Sequence, residues 1–399
     1  MRLRVIGLAI CVAAMALVPV SSQALPACGL WAIVSSPNVD PISTDNYLND
    51  VTAISPSNTW AVGSYSDALS PAPESSLSEH WNGTAWNVVP TPNATDSVNG
   101  ISENRGNRLN AVTAISASNV WAVGAHATLP GDGIGSFTLV EHWNGTAWKI
   151  ISSPDAGSAA ELNAVVAKSA SDVWAVGSSV ASYPDRGERP LAMHWNGTSW
   201  QVISTPNYGT SSQLFGVAKI PGTSELWAVG EYEKVDPVTG VRTGGALIEK
   251  FNGQGWTVAA HMPGGESLNG WKSPNSVTAI SASSAFAVGS SVMHWNGTSW
   301  NLMSHALPSN SGFPVELEAV TRAPNGNLWA AGLRIDAQTG SYHTLIERWD
   351  GTTWSVVPSA DRGRSLLYGI ARVPNSTRIW SVGYSSDSSP NRTLVETYC

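Results

Sequence analysis

Pairs of residues able to do acid–base or metal chemistry recur along this chain. Glu79-His80 and Glu141-His142 place a carboxylate beside an imidazole, and Glu249, Glu347 and Glu396 repeat the acid with Lys250, Arg348 and Thr397 following. His194 and His294 keep the base but follow Met193 and Met293. A catalytic carboxylate has no use for five copies, and histidines repeated in successive units stand too far apart to ligate one metal. Recurrence therefore assigns these residues to the scaffold. The same test assigns the tryptophans, since only Trp271 of the nineteen falls outside a repeated position. No G-x-S-x-G, H-E-x-x-H, phosphate-binding loop or cysteine–histidine metal spacing occurs, and no cofactor or metal is implied.

The elements that carry these residues are read from the repeats. Trp-Ala-Val-Gly begins at Trp60, Trp121, Trp174 and Trp227, with variants at Phe286, Trp329 and Trp380. A second signature, His-Trp-Asn-Gly-Thr-x-Trp in its fullest form, follows in most units, as at Trp81 to Trp86 and Trp195 to Trp200. Each unit reads as four strands: a small-residue strand a, the WAVG strand b, the HW strand c, and strand d after the second Trp. Asn-Gly between c and d favours a tight hairpin, because both turn residues need positive φ. Seven such units predict an all-β fold, a seven-bladed β-propeller with four antiparallel strands per blade.

Thirteen per cent charged residues with 37 Gly and 24 Pro fit such a turn-rich fold, and a net charge of −8 gives no footprint for nucleic acid. Residues 1–24 read as a secretory signal: Arg2 and Arg4, an apolar run from Val5 to Val20, then small residues to Ala24. The apolar run is short for a membrane span. The expectation is thus a secreted protein with a single propeller over 25–399, with lipid attachment at Cys28 a minor alternative. The seventh unit stops at Leu394-Val395-Glu396-Thr397-Tyr398-Cys399, before strand d, while 28–38 matches a d strand. That N-terminal strand is expected to complete blade 7 and remove an open edge. Cys399 and Cys28 then fall on neighbouring turn positions, within reach of a disulfide that would close nearly the whole chain. The ring is expected to be a monomer.

The chain resembles the kelch and galactose-oxidase-like class of propellers, whose blades also carry an apolar strand ending in Gly and then an aromatic-turn-Trp hairpin. The resemblance runs from Cys28 to Cys399 and is architectural. A single Gly stands where kelch has a pair, and no second mature thiol is free for a copper-radical site. The chain is also similar to secreted bacterial propellers with WAVG and HWNGTSW strings.

What departs from the repeat is free for function. At one position of strand a, Asn49, Asn110, Asn163 and Asn275 are replaced by Phe215, Glu318 and Tyr368 in blades 4, 6 and 7. Connections a–b and c–d are tight, whereas b–c connections such as 64–76, 231–246 and 384–393 are long, which places a binding surface on that face. Tyr232 and His343 fall on b–c connections, and Trp271, His305, Arg362 and Arg364 on the d–a connections of the same face. The expected function is recognition of an extracellular glycan or surface protein there. The alternative is a polysaccharide-cleaving hydrolase or lyase, with Glu318 as general acid or base, Tyr368 beside it, Arg362 or Arg364 on a uronate, and Phe215 with Trp271 as a stacking wall.

Overall fold

The structure, a computed structural model, describes residues 29–67, 73–98, 101–128, 135–180, 187–265, 273–307, 315–336, 338–387 and 389–399. Cys28 and Trp271 lie outside the described residues. The described chain is all-β, in seven antiparallel four-stranded sheets. Blade 3 is typical, with strands Ala159–Ser169, Asp172–Val180, Glu188–Trp195 and Trp200–Ile203 in sequence order. Blades 1, 2, 4, 5 and 6 span 44–88, 107–150, 211–265, 274–303 and 315–357. Blade 7 takes three strands from 365–398 and its outer strand, Ala32–Ile33, from the N-terminal end.

That closing strand reproduces the register of an unbroken blade. Ala32 and Ile33 face Thr397 and Glu396, as Asn87 and Val88 face His80 and Glu79 in blade 1. The turn is also imitated. In blade 1 the Asn82 Oδ1 accepts the Thr84 amide at 2.9 Å, and in blade 7 the Cys399 carbonyl accepts the corresponding Gly29 amide at 3.1 Å.

Tryptophan packing follows from the repeat. The strand-b aromatic of each blade meets the strand-c and strand-d aromatics of the next: Trp60 lies 4.7 Å from Trp143 and 5.4 Å from Trp148, and Trp121 lies 4.9 Å from Trp195. Around the closure Trp329 meets Tyr398 at 4.7 Å and Trp31 at 5.8 Å, while Trp380 meets Trp81 and Trp86. All seven seams are filled in this way. The recurring histidines cap the same rings. His80, His142 and His194 stand 4.3 to 4.4 Å from Trp60, Trp121 and Trp174, and His294 does the same over Phe286. Lys250 and Arg348 replace the imidazole by lying over Trp227 and Trp329.

The repeated strand-c glutamates are fully buried. In blades 6 and 7 they hold the incoming d–a connection, Glu347 accepting the Ala306 amide and Glu396 the Ala360 amide, each at 3.3 Å. Among the described residues the carboxyls of Glu79 and Glu249 have no hydrogen-bond partner, and Ser76 of the preceding blade faces Glu141. Burial pushes Glu141 and Glu249 up to about 8, Glu396 to about 7, and Glu79 well above the ordinary value.

The long b–c connections are shorter than the sequence implies. In blade 4 the ladder continues to Val235 and Arg242, so most of 231–246 is strand rather than loop. Asp236 Oδ1 accepts the Val238 and Thr239 amides and closes the hairpin tightly. Conversely, the connection between blades 1 and 2 holds its own hairpin, Thr95–Val98 with Ile101–Asn104.

Candidate functional site

Every inner strand breaks its pairing at one equivalent position, and those of blades 1, 2, 3 and 5 break it again near the a–b turn. The register shifts between Leu48 and Asp50, Leu109 and Ala111, Leu162 and Ala164, Leu214 and Gly216, Pro274 and Ser276, Leu317 and Ala319, and Leu367 and Gly369. The extra residue is therefore Asn49, Asn110, Asn163, Phe215, Asn275, Glu318 or Tyr368, the position singled out in the sequence. A bulge turns the unpaired side chain out of the strand's alternation, and all seven line one cavity of about 480 Å³. The bulge also explains the Gly that ends each WAVG string. A Cβ on Gly177 would stand 1.9 Å from the Glu161 carbonyl oxygen, and the other six strand-b glycines meet the same obstruction.

The bulged asparagines tie the blades together. Asn49, Asn110 and Asn163 donate through Nδ2 to the Leu109, Leu162 and Leu214 carbonyls of the following blade, each at 2.9 Å. Asn275 reaches Leu317 more weakly at 3.5 Å and gives Glu318 Oε2 a shorter bond of 3.0 Å. Phe215, Glu318 and Tyr368 offer no such amide. Among the described residues, no side chain donates to the equivalent carbonyls of Pro274, Leu367 and Leu48. Asp50, one residue past its bulge, supplies another tie by accepting the Val112 amide at 2.8 Å, and burial pushes its carboxyl up to about 7.

The remaining wall is chemically uneven. Tyr47 stands edge-on to Tyr384 at 4.8 Å, and Tyr368 stacks on Tyr384 at 5.9 Å. Asn391 donates to the Tyr47 hydroxyl at 2.7 Å. Opposite charges meet where Arg108 is paired with Glu161, which also accepts from Asn110 at 2.7 Å. Glu74 completes the acidic lining. Burial, reinforced by Glu316 and opposed by the Asn275 bond, pushes Glu318 up to about 8, so this carboxyl is protonated near neutrality. Burial likewise raises Tyr368 far above the usual phenol range, with Tyr384 and Glu318 adding to the shift.

Of the residues picked from sequence, Phe215, Glu318 and Tyr368 share this cavity. Among the described residues, the other candidates do not line it. Tyr232 is 5% exposed and packs 4.7 Å from Tyr208, beside His261, in the core between blades 3 and 4. His343 is hydrogen-bonded to Asp361, and His305 lies inside, 3.8 Å from Glu347. Arg362 and Arg364 are exposed on the connection between blades 6 and 7. Sequence reasoning missed Tyr47, Arg108, Glu161, Glu74 and Tyr384. Tyr47, Arg108 and Glu161 occupy one column, two residues before the bulge, where the blades also show Gln213, Ser273, Glu316 and Leu366. The signal was the lack of repetition in that column.

Among the described residues no cluster of three or more His, Cys, Asp or Glu side chains is arranged for a metal, and no helix is long and apolar enough to cross a membrane. No family model matches the sequence, and no curated protein matches it. Among solved structures, the one described as "YCF48 bound to D1 peptide" is similar over 95% of this chain and 98% of that one, with a TM-score of 0.52 and 16% identity. At that identity the likeness shows the propeller fold alone.

Proposed function

We propose that the protein is a secreted, monomeric recognition module that binds an extracellular glycan or surface protein at the channel mouth on its long-loop face. One observation carries the reading: in a ring of near-identical blades, the non-repeating bulge residues Phe215, Glu318 and Tyr368 converge on a single cavity. A rigid rim of this kind loses little entropy on binding, and its rings, carboxyls and amides give contact and orientation together. The propeller described with YCF48 is a precedent for a peptide ligand in this fold. A glycan array run beside a pull-down from extracellular surfaces tests the proposal, each with the native protein and with Glu318→Gln and Tyr368→Phe. Capture that depends on these residues supports it. Capture indifferent to both substitutions would sink it.

Removal of residues 1–24 and a Cys28–Cys399 disulfide belong to the same proposal. The Gly29 amide donates to the Cys399 carbonyl at 3.1 Å, which supports the bond by bringing the residue after Cys28 beside Cys399. In the chain-entropy view a loop of this length contributes about 5 kcal/mol. Reduction should therefore lower the melting temperature, and two reactive thiols in freshly secreted protein would refute the bond.

A second reading, cleavage of a polysaccharide, is favoured by one feature: Glu318 is a protonated carboxyl at the cavity, suited to a general acid. Arg362 and Arg364 do not line that cavity, which removes the uronate clamp from the elimination version. Release of reducing ends by the native protein, lost in Glu318→Gln, would establish this reading over simple binding.

A further inference from the structure

We propose that the channel mouth receives a basic group, the ammonium or guanidinium of a lysine or arginine side chain on a partner polypeptide. The inference rests on the recognition reading above and names its ligand chemistry.

Three independent features of the cavity favour a cation. The first is the imbalance of its lining. Glu74 and Glu161 face a single cation, Arg108, which is already paired with Glu161, and Glu318 stands in the same lining as a buried carboxyl that an adjacent cation would ionise. The surrounding rim adds like charge: Glu188 is raised above the ordinary carboxylate value by burial first and then by Glu231, Glu161 and Glu233. Carboxylates held together without enough internal cations raise the free energy of the empty site, and an incoming cation relieves that repulsion. The second is the interrupted amide ring. Three of the seven bulge positions in the lining, Phe215, Glu318 and Tyr368, carry no amide donor where the other four carry asparagine. Ammonium and guanidinium groups carry several donors and no acceptor, which suits such a lining. The third is aromatic. Tyr47, Tyr368 and Tyr384 form one cluster, and a cation near phenol rings gains from their quadrupoles.

The same features disfavour other ligands. An anionic polymer meets the carboxylates. A neutral sugar gains most from open ring faces, and Tyr384 is stacked by Tyr368 and abutted by Tyr47, so that beyond this cluster the lining offers the ring of Phe215 alone. A cavity of about 480 Å³ accommodates one or two side chains, so a flexible basic segment is the occupant that fits.

Fluorescence anisotropy at low ionic strength tests this with labelled decapeptides alternating Gly with Lys, Arg, Gln or Glu. Unlabelled spermidine and maltohexaose serve as competitors. The Lys and Arg peptides should bind about tenfold or more tighter than the Gln peptide, a difference of about 1.4 kcal/mol, and should weaken as salt rises. Glu161→Gln and Glu318→Gln should each weaken the basic peptides severalfold. Arg108→Gln should strengthen them, because it frees Glu161, and a gain cannot come from misfolding. Equal binding of the Gln peptide, no effect of the three substitutions, or no binding of the basic peptides at millimolar concentration overturns the inference. Displacement by spermidine but not by maltohexaose supports it. Capture of a neutral glycan at this cavity overturns the cation while leaving the recognition reading standing, whereas binding that ignores every cavity substitution removes both.

Discussion

The outer and inner halves of each seam between blades solve the same problem differently. Outside, an aromatic triad fills all seven seams, with no blade excused. Inside, an asparagine amide ties one blade to the next at four seams and is absent at three. Energy explains the asymmetry. Losing a buried Trp costs about 3–5 kcal/mol, whereas losing one hydrogen bond costs about 0.5–1.5 kcal/mol. The ring can give up inner ties one at a time, and the positions it gives up become Phe215, Glu318 and Tyr368. Function is therefore sought where the repeated interaction is cheapest to omit.

The comparison breaks first at the bulge, which both halves depend on. Gly177→Ala puts a Cβ 1.9 Å from a main-chain carbonyl, with no flexible side chain to yield. It should cost more than about 4 kcal/mol, read as loss of soluble protein or a collapsed denaturant midpoint. A well-folded, fully stable Gly177→Ala protein would show that the bulge does not fix strand b. Trp121→Ala tests the outer seam directly. It should cost about 3–5 kcal/mol in chemical denaturation, because Trp121 is 2% exposed and meets Trp195 and Trp200 of the following blade.

Acidity sharpens the contrast between the buried strand-c carboxyls and the channel. Glu141 and Glu249 are pushed up to about 8, against an ordinary value of 4.5, so the folded chain holds protons that the unfolded chain has released. Their stabilising effect is complete below the unfolded value and is lost as pH rises through about 8. Thermal stability should fall between pH 5 and pH 9, by on the order of a few kcal/mol over the whole set of buried carboxyls. Glu249→Met copies what blades 3 and 5 already contain, Met193 and Met293, both fully buried. It should flatten part of that fall and stabilise the protein at alkaline pH. A fall of the same size in the variant would acquit Glu249.

The sequence made the blades, their number and the closing strand legible, because each is written several times and errors in one copy are corrected by the others. It also located the column 49, 110, 163, 215, 275, 318 and 368. It could not show why that column faces the channel. Strict alternation along strand a assigns alternate faces, and a single unpaired residue overturns that assignment without leaving a mark in composition. Tyr47 and Tyr384 were invisible for a related reason: they meet across the seam between blades 7 and 1, which join far-apart stretches of chain. Tyr232 illustrates the opposite error. It follows the strand-b Gly of blade 4 by two residues and reads as loop, but the ladder extends past it and buries it.

The smallest expected effects decide most about the inner seam, because they come with opposite signs. Asn163→Ala removes the amide bonded to Leu214 at 2.9 Å and should destabilise the ring by about 1 kcal/mol. Phe215→Asn does the reverse, placing an amide where the carbonyl of Pro274 has no side-chain donor among the described residues. If the interrupted ring is a concession to binding, this variant should hold or raise the melting temperature while weakening ligand capture, the trade expected when a site residue is replaced by the scaffold's own choice. Calorimetry gives the first quantity and the peptide titration the second. Should Phe215→Asn lose stability as Asn163→Ala does and bind peptide undiminished, the missing amides would be ordinary packing variation and the channel mouth would lose its claim to be the site.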